Sequence, residues 1–237
     1  MRAISLRRPG ARVRAQAAAV MLGVLTSLVV PSSTASSAAA ASGCGTLRIG
    51  DTGACVVTLQ KRLHRLHYDL ARDYGTFGTQ TFHAVVAFQK ANGLTRNGIV
   101  GPVTWRHLLQ HPSPPQLRYV DSGSAIEVNL SRQIALRASA GRVIRIYDVS
   151  TGRPGWSTPA SGGNPFGIWR KALWGSTMGT DTEHFVQYYK AGTTLAMHEY
   201  GYVPPFPASH GCIRLPSGSA ARLYAHTFVG ERVYTYY

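Results

Sequence analysis

The hydrophobic repeat changes at a proline-rich segment near the middle of the chain. Pro112, Pro114 and Pro115 interrupt any regular pattern and favour an extended, fairly stiff connector. Before this segment apolar residues recur three or four positions apart, as on one face of a helix. After it they alternate with polar residues, as in half-buried strands. The sequence therefore predicts a helical domain over residues 44–110, a linker over residues 111–124 and a mostly β domain over residues 125–237.

The helical domain is small enough to benefit from a covalent constraint. Its predicted helices have apolar positions at Val56, Leu59, Leu63 and Leu66, at Phe82, Val85, Val86 and Phe88, and over residues 103–109. A core of this size is near the lower limit at which a domain folds unaided. Cys44 and Cys55 can form a disulfide that closes a short loop before the first helix in an oxidising compartment.

The second domain reads as six short strands and one helix. The strands are predicted at residues 126–130, 134–137, 143–147, 185–189, 194–198 and 232–236, and the helix at residues 217–229. This pattern is compatible with both a sheet and a barrel.

Residues 1–41 have the order of a secretory signal peptide. Five arginines come first, an apolar run from Ala17 to Val30 follows, and small polar residues complete the segment. We therefore expect an exported protein with no stable membrane insertion after cleavage, localised outside the cell or in its wall. Two alternatives stay open, namely an uncleaved anchor and lipid attachment at Cys44.

The charge of the chain indicates an anionic partner. The net charge is +15, and the 44% hydrophobic content excludes a disordered or collagen-like chain. Without the five arginines of the signal segment, 20 basic residues remain against 10 acidic ones, a balance of +10. The excess is spread over both domains without a run of Lys and Arg, which argues against nucleic acid and favours an anionic polymer outside the cell.

One cysteine is a candidate nucleophile. If Cys44 pairs with Cys55, Cys212 is the odd thiol among three cysteines. A thiol needs a nearby base to raise its thiolate fraction, and His198 and His210 both lie close in sequence. The prolines between His198 and Ser209 predict a loop that brings Cys212 back beside His198. Main-chain amides at His210, Gly211 and Cys212 are then expected to be free to hold an oxyanion.

The N-terminal half carries a first resemblance. The residues that carry this resemblance are spread over positions 47–109. They include Gly50-Asp51, Leu59-Gln60, Phe77-Gly78, Phe88-Gln89, Gly98-Ile99-Val100-Gly101 and Thr104-Trp105. In these residues the segment resembles the three-helix peptidoglycan-binding repeat. The resemblance implies peptidoglycan glycan as a partner, with Tyr68, Phe77 and Arg96 as candidate contacts.

The C-terminal half carries a second resemblance. His198 followed by Ser209-His210-Gly211-Cys212-Ile213-Arg214-Leu215 resembles the signature of the YkuD-type L,D-transpeptidase catalytic domain. It implies a β-sandwich-like fold, Cys212 as nucleophile and His198 as general base. Ser209, His210 and Gly211 match the oxyanion loop, and Arg214 matches a residue that steadies that loop or a substrate carboxylate. The resemblance also implies an enzyme that crosslinks peptidoglycan stem peptides through their third residues. The reaction would proceed through a cysteine acyl-enzyme, without a metal or cofactor.

Two departures from that family pattern concern the site. Glu199 stands where a small residue commonly follows the base, and the turn over residues 158–165 is longer than usual. Trp169, Trp174, Tyr188 and Tyr189 are candidates to line the substrate-side loop. The remaining alternatives are an L,D-carboxypeptidase, in which water replaces the amine acceptor, and a non-catalytic wall-binding protein.

Overall fold

The computed structural model describes residues 43–71, 75–110, 114–120, 122–177 and 183–237. The predicted signal peptide, residues 1–41, lies outside these ranges, as does Pro112 of the predicted linker. Within the described residues, none of the helices has both the length and the apolar character needed to span a membrane.

Three helices form the N-terminal part. They are α1 (Ala54–Arg65), α2 (Thr79–Ala91) and α3 (Pro102–Gln110). Apolar residues spaced three and four apart put one face of each helix into a common core. A disulfide joins Cys44, before α1, to Cys55 in its first turn. The three predicted helices are confirmed, each to within a few residues.

The rest of the chain forms two sheets and a fourth helix. The elements are β1 (Ser124–Asn129), β2 (Ile134–Ser139), β3 (Arg142–Asp148), β4 (Phe166–Gly167), β5 (Arg170–Gly175), β6 (Glu183–Tyr188), β7 (Ala196–Glu199), β8 (Ile213–Leu215), α4 (Ser217–His226) and β9 (Arg232–Tyr236). The first sheet has the strand order β3-β2-β1-β9-β4 and the second has β5-β6-β7-β8. Most neighbouring strands are antiparallel, but β1 with β9 and β7 with β8 run parallel.

The two sheets enclose the core of the β domain. Ile126 and Val128 of the first sheet share one buried cluster with Met197 and Ile213 of the second. Leu223 of α4 belongs to the same cluster. Apolar residues that alternate along the strands of both sheets therefore face each other, which is the arrangement of a β-sandwich. The expected fold class, a three-helix bundle followed by a mostly β sandwich-like domain, is confirmed.

The helical bundle and the first sheet also share a core. Ile134, Leu136 and Ile146 belong to the buried cluster of the three helices. Their neighbours Ala135 and Tyr147 belong to the cluster between the sheets. Because side chains alternate along a strand, β2 and β3 bury one face against the helices and the other face inside the sandwich. The bundle is thus packed directly on the sheet that follows it.

Buried ionic groups cross the same junction. Nζ of Lys90 in α2 donates to Oδ1 of Asp148 at 2.5 Å and to the carbonyl oxygens of Val149 and Gln133 at 2.8 and 3.1 Å. Nδ1 of His83 lies 2.7 Å from the other carboxylate oxygen of Asp148. The junction is therefore a specific polar contact as well as an apolar one.

The end of α4 and three strands differ from the sequence prediction. The helix predicted to reach Val229 ends at His226, because Thr227 is extended and its hydroxyl donates to the Leu223 carbonyl. Phe228, expected on the buried face, is 55% exposed. Strands β4, β5 and β8 were not predicted. Strands β4 and β8 have only two and three residues. Strand β5 lacks a regular alternation of buried and exposed residues.

Candidate active site

The sheet places the predicted nucleophile and base on one face. In the parallel pair of β7 and β8, His198 is the register partner of Arg214. Cys212 precedes β8 and lies two residues before Arg214, so period-two alternation puts it on that same face. His198 and Cys212 are thus diagonal neighbours across two strands, although fourteen positions separate them in the sequence.

These side chains open into one cavity of about 280 Å³. The residues that line it are Thr177, Glu183, His198, Tyr200, Ser209, His210, Cys212 and Arg214. Five of the eight come from the sequence prediction. Thr177, Glu183 and Tyr200 were missed, because they lie outside the SHGC signature and no spacing pattern connects them to it.

Cys212 is a buried free thiol. It is 5% exposed, and its Sγ lies 3.9 Å from the carbonyl oxygen of Thr194. Burial raises the pKa of the Cys212 thiol, since a thiolate loses its hydration there, while hydrogen bonding with the Ala196 main chain and the Thr177 side chain lowers it. The balance keeps the thiol protonated, so it needs a base to become a nucleophile.

His198 has the tautomer that a base requires. Its Nδ1 lies 2.8 Å from the carbonyl oxygen of Glu199, and because a carbonyl only accepts, Nδ1 carries the hydrogen. Nε2 therefore presents its lone pair. Burial lowers the pKa of His198, and the hydrogen bond to Glu199 and the charge of Glu183 act in the opposite direction. The imidazole is neutral at neutral pH and able to accept a proton.

Glu199 acts on His198 through its main chain. Its carbonyl oxygen fixes the ring, whereas its carboxylate lies 3.8 Å from Nδ1 of His184. A different side chain after the histidine therefore leaves the orienting hydrogen bond in place.

The loop before Cys212 is held by its own hydrogen bonds. Ser209 Oγ donates to the carbonyl oxygen of Cys212 at 2.6 Å and accepts from the Gly211 amide at 3.1 Å. The hydroxyls of Thr158 and Tyr189 donate to the Gly211 carbonyl at 2.8 and 3.4 Å. The expectation that the Gly211 amide is free for an oxyanion is therefore wrong for this state, because Ser209 already accepts its hydrogen.

Gly211 itself is required by the backbone. Its φ is +112°, in the region that favours glycine, and an added Cβ would lie 2.9 Å from a methyl carbon of Leu195. Only a residue without a side chain fits this turn without strain.

Arg214 supplies the positive charge in the cavity. Its guanidinium carbon lies 3.9 Å from the ring centre of Tyr200, and its main chain exchanges two hydrogen bonds with Ser150. The Arg214 charge lowers the pKa values of both Cys212 and His198, so it favours the thiolate over the imidazolium. It is placed to meet an anionic group that enters the cavity.

Two further residues flank His210. One guanidinium nitrogen of Arg153 lies 2.7 Å from Nε2 of His210, and Trp156 contacts the same ring edge-on with centroids 5.1 Å apart. Trp156 is 50% exposed. Neither residue was predicted, because both lie in the segment before Thr158, outside the SHGC signature.

The predicted aromatic lining divides into two groups. Tyr188 and Tyr189 are buried, and Trp169 and Trp174 are exposed. None of the four lines the cavity. Trp174 lies in the edge strand β5 and contacts the ring of His184.

The candidate glycan contacts in the helical domain are largely wrong. Tyr68 and Phe77 are buried in its core and are not available to a ligand. Arg96 instead donates to the carbonyl oxygen of Pro205 at 3.1 Å, in the loop that leads to Ser209. The helical domain therefore touches the active-site loop at this point.

The sequence matches two known domain families. Residues 52–108 match a putative peptidoglycan binding domain, and residues 123–235 match the L,D-transpeptidase catalytic domain named YkuD. The solved structure of an L,D-transpeptidase from Xylanimonas cellulosilytica is 32% identical and covers 81% of this chain and 98% of its own, with a TM-score of 0.72. The chain belongs to the L,D-transpeptidase family.

All residues that line the cavity belong to the L,D-transpeptidase domain. The peptidoglycan-binding domain packs against the first sheet of that domain. The two families together indicate peptidoglycan as the substrate class and the cell wall as the place of action. An uncharacterised protein from Kitasatospora aureofaciens is 42% identical over 59 residues, which are 24% of this chain and 50% of that protein. The match thus spans about half the length of that curated relative.

The cavity of the L,D-transpeptidase domain brings together side chains of several chemical types. Among the described residues, no three His, Cys, Asp or Glu side chains form a group able to hold a metal ion. The cavity is lined by one thiol, the imidazoles of His198 and His210, one guanidinium and one carboxylate.

Proposed function

We propose that this chain is an exported enzyme that crosslinks peptidoglycan stem peptides at their third residues through an acyl-enzyme on Cys212. The observation that carries the proposal is the shared cavity of Cys212 and His198, with Nδ1 of the imidazole occupied by the Glu199 carbonyl. That hydrogen bond leaves Nε2 as the one ring nitrogen that accepts a proton from the thiol.

The first half-reaction forms the acyl-enzyme. His198 removes the Cys212 proton, and the thiolate attacks the carbonyl carbon that joins the third residue of the donor stem to D-alanine. Negative charge develops on that carbonyl oxygen and is stabilised by main-chain amides of the loop that carries Cys212. The imidazolium then protonates the D-alanine amine, the carbon–nitrogen bond breaks, and a thioester remains on Cys212.

The second half-reaction transfers the acyl group. The side-chain amine of a neighbouring stem attacks the thioester carbonyl, and the carbon–sulfur bond breaks. The product is an amide between two third residues, and the thiol is regenerated. Arg214 is expected to bind a carboxylate of the stem peptide, since a guanidinium forms strong charge-assisted hydrogen bonds with carboxylates.

Export follows from residues 1–41, whose basic start, apolar run and small polar end are the pattern of a secretory signal peptide. The disulfide between Cys44 and Cys55 supports this, because such bonds persist in oxidising compartments. The N-terminal sequence of the secreted protein tests it. A start between residues 38 and 44 agrees with export, and a retained Met1 contradicts it.

The reaction is tested by product analysis. Purified protein is incubated with a disaccharide-tetrapeptide, with and without a second stem that carries a free side-chain amine, and the products are weighed by mass spectrometry. Crosslinked dimers with loss of one D-alanine are expected, and Cys212→Ala removes them. If only shortened stems form even with excess acceptor, the enzyme is an L,D-carboxypeptidase. If the donor stays intact, the chain is a non-catalytic wall-binding protein.

A further inference from the structure

One residue of the cavity has no part in the first half-reaction. Glu183 is the first residue of β6, is 7% exposed, and lines the cavity together with Cys212 and His198. Its two carboxylate oxygens accept hydrogen bonds from the Thr177 amide at 3.0 Å and the Thr177 hydroxyl at 2.6 Å. A carboxylate accepts about four hydrogen bonds, so these two leave capacity for a donor that enters the cavity.

The charge of Glu183 acts on both Cys212 and His198. The carboxylate raises the pKa of Cys212, because a second negative charge nearby disfavours the thiolate. It also raises the pKa of His198, whose protonated form it stabilises. The second effect favours proton transfer from Cys212 to His198 whereas the first opposes it, so the two effects of the Glu183 charge act against each other in acylation.

The second half-reaction has a different electrostatic requirement. Cys212 is then a neutral thioester, and the acceptor arrives as an alkylammonium, because a lysine-like amine has a pKa of about 10.4. Among the described residues that line the cavity, Glu183 and Arg214 are the fixed charges, and only Glu183 is negative. A cation that approaches the acyl group meets attraction at Glu183 and repulsion at Arg214.

We propose that Glu183 is the acceptor-binding residue, with a carboxylate that holds the side-chain ammonium of the acceptor stem beside the thioester on Cys212. This inference rests on the proposed function and adds to it the chemical class of the acceptor, a primary alkylammonium. It also gives a reason for aminolysis over hydrolysis at the same acyl-enzyme, since water carries no charge for Glu183 to select.

The proton balance follows from the same position. The ammonium passes one proton to Glu183, which leaves the amine nitrogen with the lone pair that it needs for attack. The amine attacks the carbonyl carbon and gives its second proton to Nε2 of His198. The carbon–sulfur bond breaks, and the imidazolium returns that proton to the sulfur of Cys212. Glu183 finally releases its proton to water.

The test separates acylation from acyl transfer in Glu183→Gln. Acylation is followed by intact mass with a carbapenem and with the donor stem. Transfer is followed by titrating two acceptors, an alkylamine that is charged at neutral pH and an amine of low pKa that is uncharged there. Asp51→Asn removes the same charge outside the cavity, where Asp51 accepts a hydrogen bond from the Arg48 amide. Thermal unfolding of each variant reports whether it folds.

We expect acylation of Glu183→Gln near the wild-type rate, because the two effects of the Glu183 charge on proton transfer from Cys212 to His198 act against each other. The half-saturating concentration of the charged amine should rise about 10- to 100-fold, because one charge-assisted hydrogen bond is lost. The half-saturating concentration of the uncharged amine should change little. Glu183→Asp, which keeps the charge, should retain part of the preference for the charged amine. Asp51→Asn should behave as wild type.

Three outcomes overturn the proposal. They are unchanged use of the charged amine by Glu183→Gln, equal losses for both amines, and loss of acylation itself. If Glu183→Gln does not fold, the wild-type enzyme still decides the question, since equal use of charged and uncharged amines contradicts a carboxylate acceptor site. Failure of the wild-type protein to acylate at all refutes the proposed function instead, so the two failures are distinguishable.

Discussion

Replacing Lys90 by methionine tests how the helical domain is joined to the catalytic domain. The Lys90 side chain has no solvent exposure, and its ammonium has three acceptors, namely Asp148 and the carbonyl oxygens of Gln133 and Val149. Methionine has a side chain of similar length to lysine but carries no charge. Asp148 then keeps the His83 ring as a side-chain hydrogen-bond partner, and two buried carbonyl oxygens lose a donor.

The expected cost follows from removing one partner of a buried ion pair. Such changes cost about 3–5 kcal/mol, because the remaining charge stays buried without compensation. With a urea dependence of about 2 kcal/mol per molar, the unfolding midpoint should fall by roughly 1.5–2.5 M. Lys90→Met combined with Asp148→Asn should recover part of the loss, since no unpaired carboxylate remains.

The assay is equilibrium unfolding in urea, followed by circular dichroism and by tryptophan fluorescence. Because the helices and the first sheet share a core, we expect both signals to change in one transition in the wild type. The matched control is Lys61→Met on an exposed face of α1, which should change stability by less than about 0.5 kcal/mol. A Lys90→Met loss below about 1 kcal/mol refutes this account of the junction.

Three further outcomes are expected. The acid limb of the acylation rate should lie below pH 6.5, because burial lowers the pKa of His198 and the neutral imidazole is the active form; an inflection above pH 6.5 contradicts this. Gly211→Ala should lower the free energy of unfolding by about 1–3 kcal/mol and remove most of the acylation rate, because φ is +112° and the new methyl group meets Leu195. A variant that unfolds in urea and is acylated like the wild type contradicts this prediction. Replacing Cys44 and Cys55 together by serine should lower the free energy of unfolding by about 2–4 kcal/mol without changing the initial acylation rate; loss of that rate in the folded variant contradicts a purely structural disulfide.

The sequence predicted the elements whose pattern is local. Apolar spacing is strong in α1 and α2, and alternation is clear in β1 and β9, so these elements lie close to their predicted positions. Strand β5 was missed because it is an edge strand whose exposed Leu173 and Trp174 stand next to each other, without alternation.

The periodicity of apolar residues did not predict how the two domains pack together. Both faces of β2 and β3 are buried, so their sequences contain apolar residues on each side, and nothing in them tells which face meets the helices. Lys90 is a similar case. A lysine at the end of a helix is usually solvated, and only the position of Asp148 in space explains why this one is buried.

The site was predictable where its residues share one segment. Cys212, His198 and Arg214 follow from the signature around SHGC, whereas Glu183 reaches the cavity from β6 and Thr177 from the segment after β5. The signal of Glu183 is electrostatic, a carboxylate in the cavity of a thiol, and it exists only after the strands are assembled. The tautomer of His198 likewise depends on a main-chain oxygen that any residue at position 199 supplies.

Intact-protein mass spectrometry with a tetrapeptide donor and no acceptor tests most directly whether Cys212 carries the acyl group. We expect a mass increase equal to the donor minus D-alanine, located on Cys212 by peptide mapping. Addition of an amine acceptor should remove this mass and transfer it to the crosslinked product. Release of D-alanine at an undiminished rate by Cys212→Ala, or an adduct on any other residue, would contradict this expectation.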